Sequence, residues 1–133
     1  MIKNPTDKQV VGKIGEDSVC KYLKNKGFTI LDRNYLKKWG EIDIVAKKDG
    51  IIHFIEVKSV SCEMKKFNVS HETYRPEENV HLYKINRLRK VIQTYILDKQ
   101  IDEESNWQCD IATVKVDISQ RIARVSFIED IVL

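Results

Sequence analysis

The sequence predicts an α/β or α+β domain of two main helices and five strands, in the order α-β-β-β-α-β-β. Three observations predict it. Two stretches repeat apolar residues at helical spacing, several short runs are rich in β-branched and aromatic residues, and an Asp-Gly pair joins two of those runs. The chain has 133 residues, 42% hydrophobic and 32% charged, with 5 Gly and 2 Pro. That length suits one domain, residues 1–133. The apolar fraction is too high for a disordered chain, and no apolar run is long enough to span a bilayer. The opening, Met1 to Asp7, has no apolar core, so no secretory signal is expected. Cys20, Cys62 and Cys109 form no CxxC pair, which argues against a zinc site or disulfide framework and suits a reducing cytoplasm. The 23 Lys+Arg against 20 Asp+Glu give a net charge of +3, which permits a polyanionic partner without demanding one.

Residues 8–26 read as a helix, because Val11, Ile14, Val19, Tyr22 and Leu23 recur at helical spacing and Gly27 offers a stop. Thr6 or Asp7 can cap its start. Residues 28–35 read as a short strand, and residues 41–46 and 51–60 as clearer ones. Asp49-Gly50 between the latter two is a strong hairpin signal. Residues 61–79 are polar and irregular and read as a mobile loop. Residues 78–99 read as a long helix with apolar positions 80, 85, 88, 91, 92, 95 and 96. Residues 100–107 are an acidic connection, and 109–118 and 121–129 read as two closing strands.

Register carries the argument further. If Asp49-Gly50 is a two-residue turn, Lys48 pairs with Ile51. Continuing that register sets Asp43 opposite Glu56 and Glu41 opposite Lys58. Side chains alternate between faces. One face then carries Glu41, Asp43 and Val45 opposite Phe54, Glu56 and Lys58. The other is mainly apolar, with Ile42, Ile44 and Ala46 opposite His53, Ile55 and Val57. Opposed like charges in a strand pair are destabilising. A divalent cation is the natural compensation, since hard carboxylate oxygens suit Mg²⁺ or Mn²⁺. Lys58 points to the same face and could reach the same water or phosphate. The competing reading is a solvated polar face, with Glu41–Lys58 a surface pair worth little. A three-residue loop with a bulge would break the pairing.

Asp43 together with Glu56-Val57-Lys58 resembles the PD-(D/E)xK nuclease core. The wider set is more specific. Gly12-x-x-Gly15-Glu16, Arg33-Asn34, Gly40-Glu41-Ile42-Asp43-Ile44-Val45-Ala46 and Phe54-Ile55-Glu56-Val57-Lys58 resemble the YraN family of small bacterial proteins. Pro76-Glu77-Glu78, Lys84 and Cys109-Asp110-Ile111 continue the likeness over nearly the whole chain. The resemblance implies a restriction-endonuclease-like fold, similar to archaeal Holliday-junction resolvases. That fold has a central mixed sheet of about five strands flanked by two main helices. It also implies metal-dependent hydrolysis of DNA phosphodiesters, with Asp43, Glu56 and the backbone carbonyl of Val57 as ligands of Mg²⁺ or Mn²⁺. Lys58 would orient the water, and Glu16 would be a further acidic group of the site. Two departures touch substrate contacts. Ser59-Val60 stands where the family has Thr-Arg, and Cys109 replaces an aromatic.

Other residues are weighed on their own chemistry. Glu16 shares a helix arc with Gly12, Val19 and Leu23; the glycines suggest close packing on the sheet, and a carboxylate there needs a partner. Its plain alternative is a helix-edge surface residue. Lys84 falls inside the apolar stripe of the second helix, either reaching a phosphate or snorkelling. Arg87, Arg89 and Lys90 follow it, and such a helix can track a phosphate backbone or simply be solvated. Lys37 and Lys38 flank Trp39, a basic pair beside an aromatic that either grips nucleic acid or packs. His53 reads as a core or edge residue and Asp110 as a structural one, and no cysteine has an evident base for nucleophilic work.

The expectation is therefore a cytoplasmic endonuclease acting on DNA, branched or otherwise structured. Its catalytic set is Glu16, Asp43, Glu56 and Lys58, with Glu41 a weaker candidate. Lys37, Lys38, Lys84 and Arg87 are the nucleic-acid contacts. The alternatives are a non-catalytic nucleic-acid-binding module on the same fold and an interaction domain with a solvated acidic face. A homodimer is compatible, but no residue in the sequence fixes its interface.

Overall fold

The computed structural model of the chain describes residues 7–63, 82–131 and 133, with the helical backbone alone for 82–84. Its elements are α1 (Asp7–Asn25), β1 (Thr29–Lys37), β2 (Gly40–Lys48), β3 (Ile51–Ser61), α2 (Leu82–Asp98), β4 (Asn106–Asp117) and β5 (Ile122–Ile128). The order is the expected one. The strands form a single sheet in the order β1-β2-β3-β4-β5. The β3–β4 pair is parallel and the other neighbours are antiparallel, so the sheet is mixed. A parallel pair needs a crossover, and the chain makes it between Ser61 and Asn106, a stretch that includes α2.

Each helix covers one face. Val11, Val19, Cys20 and Leu23 of α1 pack with Ile44, Ala46, Ile55, Ala112, Val114 and Val116. Leu88, Val91, Ile92 and Tyr95 of α2 pack with Ile42, Val45, Ile52, Phe54 and Cys109. Tyr95 and Tyr35 tie α2 to β1, donating to Asp32 at 2.6 Å and Asp98 at 2.9 Å. α1 stops as its sequence foretells: Gly27 takes φ +92°, and Phe28 N–H closes back on Leu23 at 2.9 Å.

Several boundaries move. β1 runs on to Lys37 because Lys38-Trp39 forms a tight turn with no Gly or Asn of its own, and Lys37 pairs with Gly40. Gly40 follows that turn for a different reason: a Cβ there would lie 3.3 Å from the Arg87 carbonyl of α2. β4 begins at Asn106, not at 109, because β3 offers a partner as far back as Ile51. The first residues expected in the second helix, 78–81, and most of the expected loop 61–79 lie outside the described residues. Gly12 has no atom within 4 Å of a notional Cβ, so the close approach expected of both helix glycines is made by Gly15 alone. A Cβ on Gly15 would clash with Ser59 Oγ of β3.

Candidate metal centre at the open end of the hairpin

The turn is the two-residue one that the register argument requires. Asp49 and Gly50 take φ of +50° and +78°, the left-handed pair of a type I′ turn. Lys48 pairs with Ile51, and the ladder continues in that register to Ile44–Ile55. There it stops. Asp43 and Glu56 stand one step beyond it, and Asp43 Oδ2 instead accepts the backbone N–H of Val57 at 2.7 Å. The β2 pleat is irregular here, because Ile42 joins Val45 in the α2 cluster. Strict alternation had set Ile42 on the opposite face with Ile44. The break removes the expected strand pairing of Glu41 with Lys58, since that position lies beyond the ladder.

The acidic group is also not a plain solvated face. α2 covers the hairpin on that side, and Glu56 is buried. Gly40, Glu41, Asp43, Glu56, Arg87 and Leu88 line a cavity of about 240 Å³. Burial, then the Glu56 charge, pushes the Asp43 carboxyl well above the usual carboxylate range. Lys58 Nζ lies 3.7 Å from Glu56 Oε1. Among the described residues no group of three or more His, Cys, Asp or Glu side chains is arranged to hold a metal ion. The donor set nevertheless fits Mg²⁺, which keeps several waters and is commonly bound through one or two carboxylates plus substrate phosphates.

The other expected residues divide. Arg87 lines the cavity, and its Nε donates to the Trp39 carbonyl at 3.0 Å, so it braces the β1–β2 turn against α2. Trp39 packs on the same helix, its Nε1 donating to Thr94 Oγ1 at 3.2 Å. Lys37 lies over the Tyr35 ring, 5.0 Å from its centroid, and Lys38 is exposed on the turn. Lys84 falls in the first turn of α2, and its side chain lies outside the described residues.

Glu16 is not among the residues lining the cavity. It accepts from Arg33 Nη2 at 2.8 Å and from Asn34 Nδ2 at 2.9 Å. Arg33 also bridges to Asp17 at 2.8 Å and holds that carboxyl below its ordinary range. Arg33 and Tyr35 pair with Ile44 and Ile42, so Asn34 stands beside Asp43 on the neighbouring strand. Glu16 thus ties α1 to β1, the strand next to the one that carries Asp43. Arg33 and Asn34 carry no assigned role in the sequence reading; the Arg-Asn dipeptide of the family pattern is their one signal. His53 is buried on the α1 face and bonds Asp110 at 2.7 Å. Asp110 also accepts from Gln108 Nε2 and from the Asp130 N–H, both at 2.8 Å. His53 sits in the core, and Asp110 ties β3, β4 and the segment after β5 together.

Comparison with known proteins bears on the same residues. The model of the uncharacterised protein family UPF0102 matches residues 15–114, a span that includes Glu16, Asp43, Glu56, Lys58 and Arg87. A UPF0102 protein of Campylobacter jejuni strain 81-176 is 40% identical over 116 residues, 87% of this chain and 93% of the relative. One from Campylobacter lari is 40% identical over 113 residues, 85% and 90% of the two chains. One from Campylobacter hominis is 37% identical over 118 residues, 89% of each. The family match and these near full-length relatives agree with the motif pattern of Gly15-Glu16, Asp43 and Glu56-Val57-Lys58, and the chain belongs to the UPF0102, or YraN, family.

Proposed function

We propose that the chain is a metal-dependent endonuclease that hydrolyses DNA phosphodiester bonds, with branched or otherwise structured DNA as its substrate class. The observation that supports this most is the Asp43–Glu56 pair, two carboxyls lining one cavity with Lys58 3.7 Å from one of them. A fold has little reason to bury such a pair for stability alone.

Asp43, Glu56 and the Val57 carbonyl would hold Mg²⁺ or Mn²⁺. The ion would supply Lewis acidity toward the phosphate and lower the pKa of its water. Asp43, whose carboxyl is raised by burial and by the Glu56 charge, would release its proton to serve as a ligand. Lys58 stabilises negative charge that develops on the phosphate oxygens. Glu16 holds Arg33 and Asn34 of β1, the strand paired with the one that carries Asp43. Lys37, Lys38, Lys84 and Arg87 contact the DNA backbone.

Cleavage of linear, branched and single-stranded DNA in Mg²⁺ and Mn²⁺ tests the reading. The wild type is expected to cut at least one of them. Lys58→Ala is expected to lose cutting by 10²-fold or more on the scale of one lost charge-stabilising group, with metal binding kept. No cutting of any of the three, in either metal, refutes the enzyme reading for DNA.

A further inference from the structure

We propose that the open edge of β5 is a homodimer interface, where the β5 strands of two copies pair antiparallel about a two-fold axis at Val125. Among the described strands β5 bonds only to β4, so among the described residues no strand pairs with its other edge. Such edges are normally blunted. The opposite edge of the sheet is: β1 has a bulge between Ile30 and Asp32, a left-handed residue at Asn34, and Arg33 engaged by Glu16 and Asp17. β5 has none of these. Its register with β4 is unbroken from Ile128 to Ile122.

The edge exposes apolar side chains at its two ends, with Arg124 and Ser126 exposed between them. Ile122 and Ile128 are each 39% exposed. Beside them a groove of about 700 Å³ runs between α1 and β4–β5, with Ile14, Tyr22, Ile118, Ile122 and Val125 among its lining.

What selects a second copy as the occupant is self-complementarity. Val125 is the midpoint of β5. A two-fold axis there sets Ile122 against Ile128 of the second copy, Ala123 against Phe127 and Arg124 against Ser126. One residue further out, Arg121 meets Glu129, and symmetry repeats that ion pair at the other end. No like charges oppose. Moving the axis to Arg124 sets that arginine against its own copy. Moving it to Ser126 sets Arg124 against Ile128 and Glu129 against Ala123. Only the Val125 axis matches apolar with apolar and positive with negative. The result is a continuous ten-stranded sheet. Both Asp43–Glu56 pairs then lie on the same face, with the β3 strands about 24 Å apart across five strand spacings.

Light scattering of the full chain, with a charge-reversal cycle, tests this. The wild type is expected at twice the chain mass. Arg121→Glu and Glu129→Arg are each expected to weaken the dimer about tenfold, and the double variant to restore it. A Val125→Cys chain in a Cys62→Ser background is expected to form a covalent dimer on oxidation, since opposed Cβ atoms are about 4.5–5.5 Å apart. The proposal is overturned by a wild type that stays monomeric, by reversals that leave the dimer unchanged or are not rescued by the double variant, or by a Val125→Cys chain that does not cross-link.

Discussion

Asp43 accepts the backbone N–H of Val57 at 2.7 Å, one step past the last ladder pair of β2 and β3. The carboxylate replaces a strand hydrogen bond and is fixed beside Glu56 by the same contact. Fold and candidate chemistry therefore meet on one side chain.

Its ionisation follows. Burial first, and the Glu56 charge second, push the Asp43 carboxyl from 3.8 up to about 8. The folded chain keeps a proton that the unfolded chain gives up near the ordinary value. The stabilisation from that proton is full below the unfolded pKa, and it is lost as pH rises from about 4 through about 8. Thermal melts in chelator should show the metal-free protein losing stability across that window. Asp43→Asn should flatten the profile. An unchanged slope in the variant would assign the pH dependence elsewhere.

Metal should act in the opposite direction. A ligand at a hundredfold over its Kd stabilises by about 2.7 kcal/mol, which is a Tm rise of about 8–10 °C for a domain of this size. The shift with Mg²⁺ or Mn²⁺ should be larger at pH 8 than at pH 6, because binding expels the Asp43 proton. Glu56→Gln should abolish it. An equal shift in the variant would place the metal at some other site.

The two helix glycines should behave in opposite ways. Gly15→Ala sets a methyl against Ser59 Oγ and 2.8 Å from Ser59 Cβ, and turning the hydroxyl away leaves the second clash. Overpacking of this kind costs about 1–3 kcal/mol. Gly12→Ala meets open space and removes a helix-interior glycine, so it should stabilise by about 0.5–1 kcal/mol. Urea unfolding of both variants reads the contrast directly.

Asp110→Ala strands the buried His53 ring, the Gln108 amide and the Asp130 N–H together. The loss should be about 3 kcal/mol, with the metal-induced Tm shift retained. A variant that lost metal binding while still folded would move Asp110 from structure into function.

The order of elements and the hairpin register were legible because each rests on a local signal. Gly27 ends α1, Asp49-Gly50 fixes the turn, and period-two patterning sets the strands. What the residues could not tell lies in long-range contacts. The kink at Asp43 depends on a side chain that takes a backbone bond, so alternation misplaced Ile42. The Lys38-Trp39 turn has no turn residue and is held by Arg87 from α2. Gly12 and Gly15 look alike in the chain, and only the position of Ser59 separates them. The Asp43–Glu56–Lys58 grouping was readable from spacing. The tie from Glu16 to Arg33 and Asn34 was not, because it joins a helix to an edge strand across the α1 face.

The central claim is that the hairpin carboxylates form a catalytic metal site. Calorimetric titration of Mn²⁺ into the wild type and Glu56→Gln, followed by branched-DNA cleavage with both, tests it most directly. Binding and cutting by the wild type, lost together in the variant, is the predicted result. A wild type that binds neither metal nor DNA would contradict it and leave Asp43 and Glu56 as a buried acidic pair with a structural role.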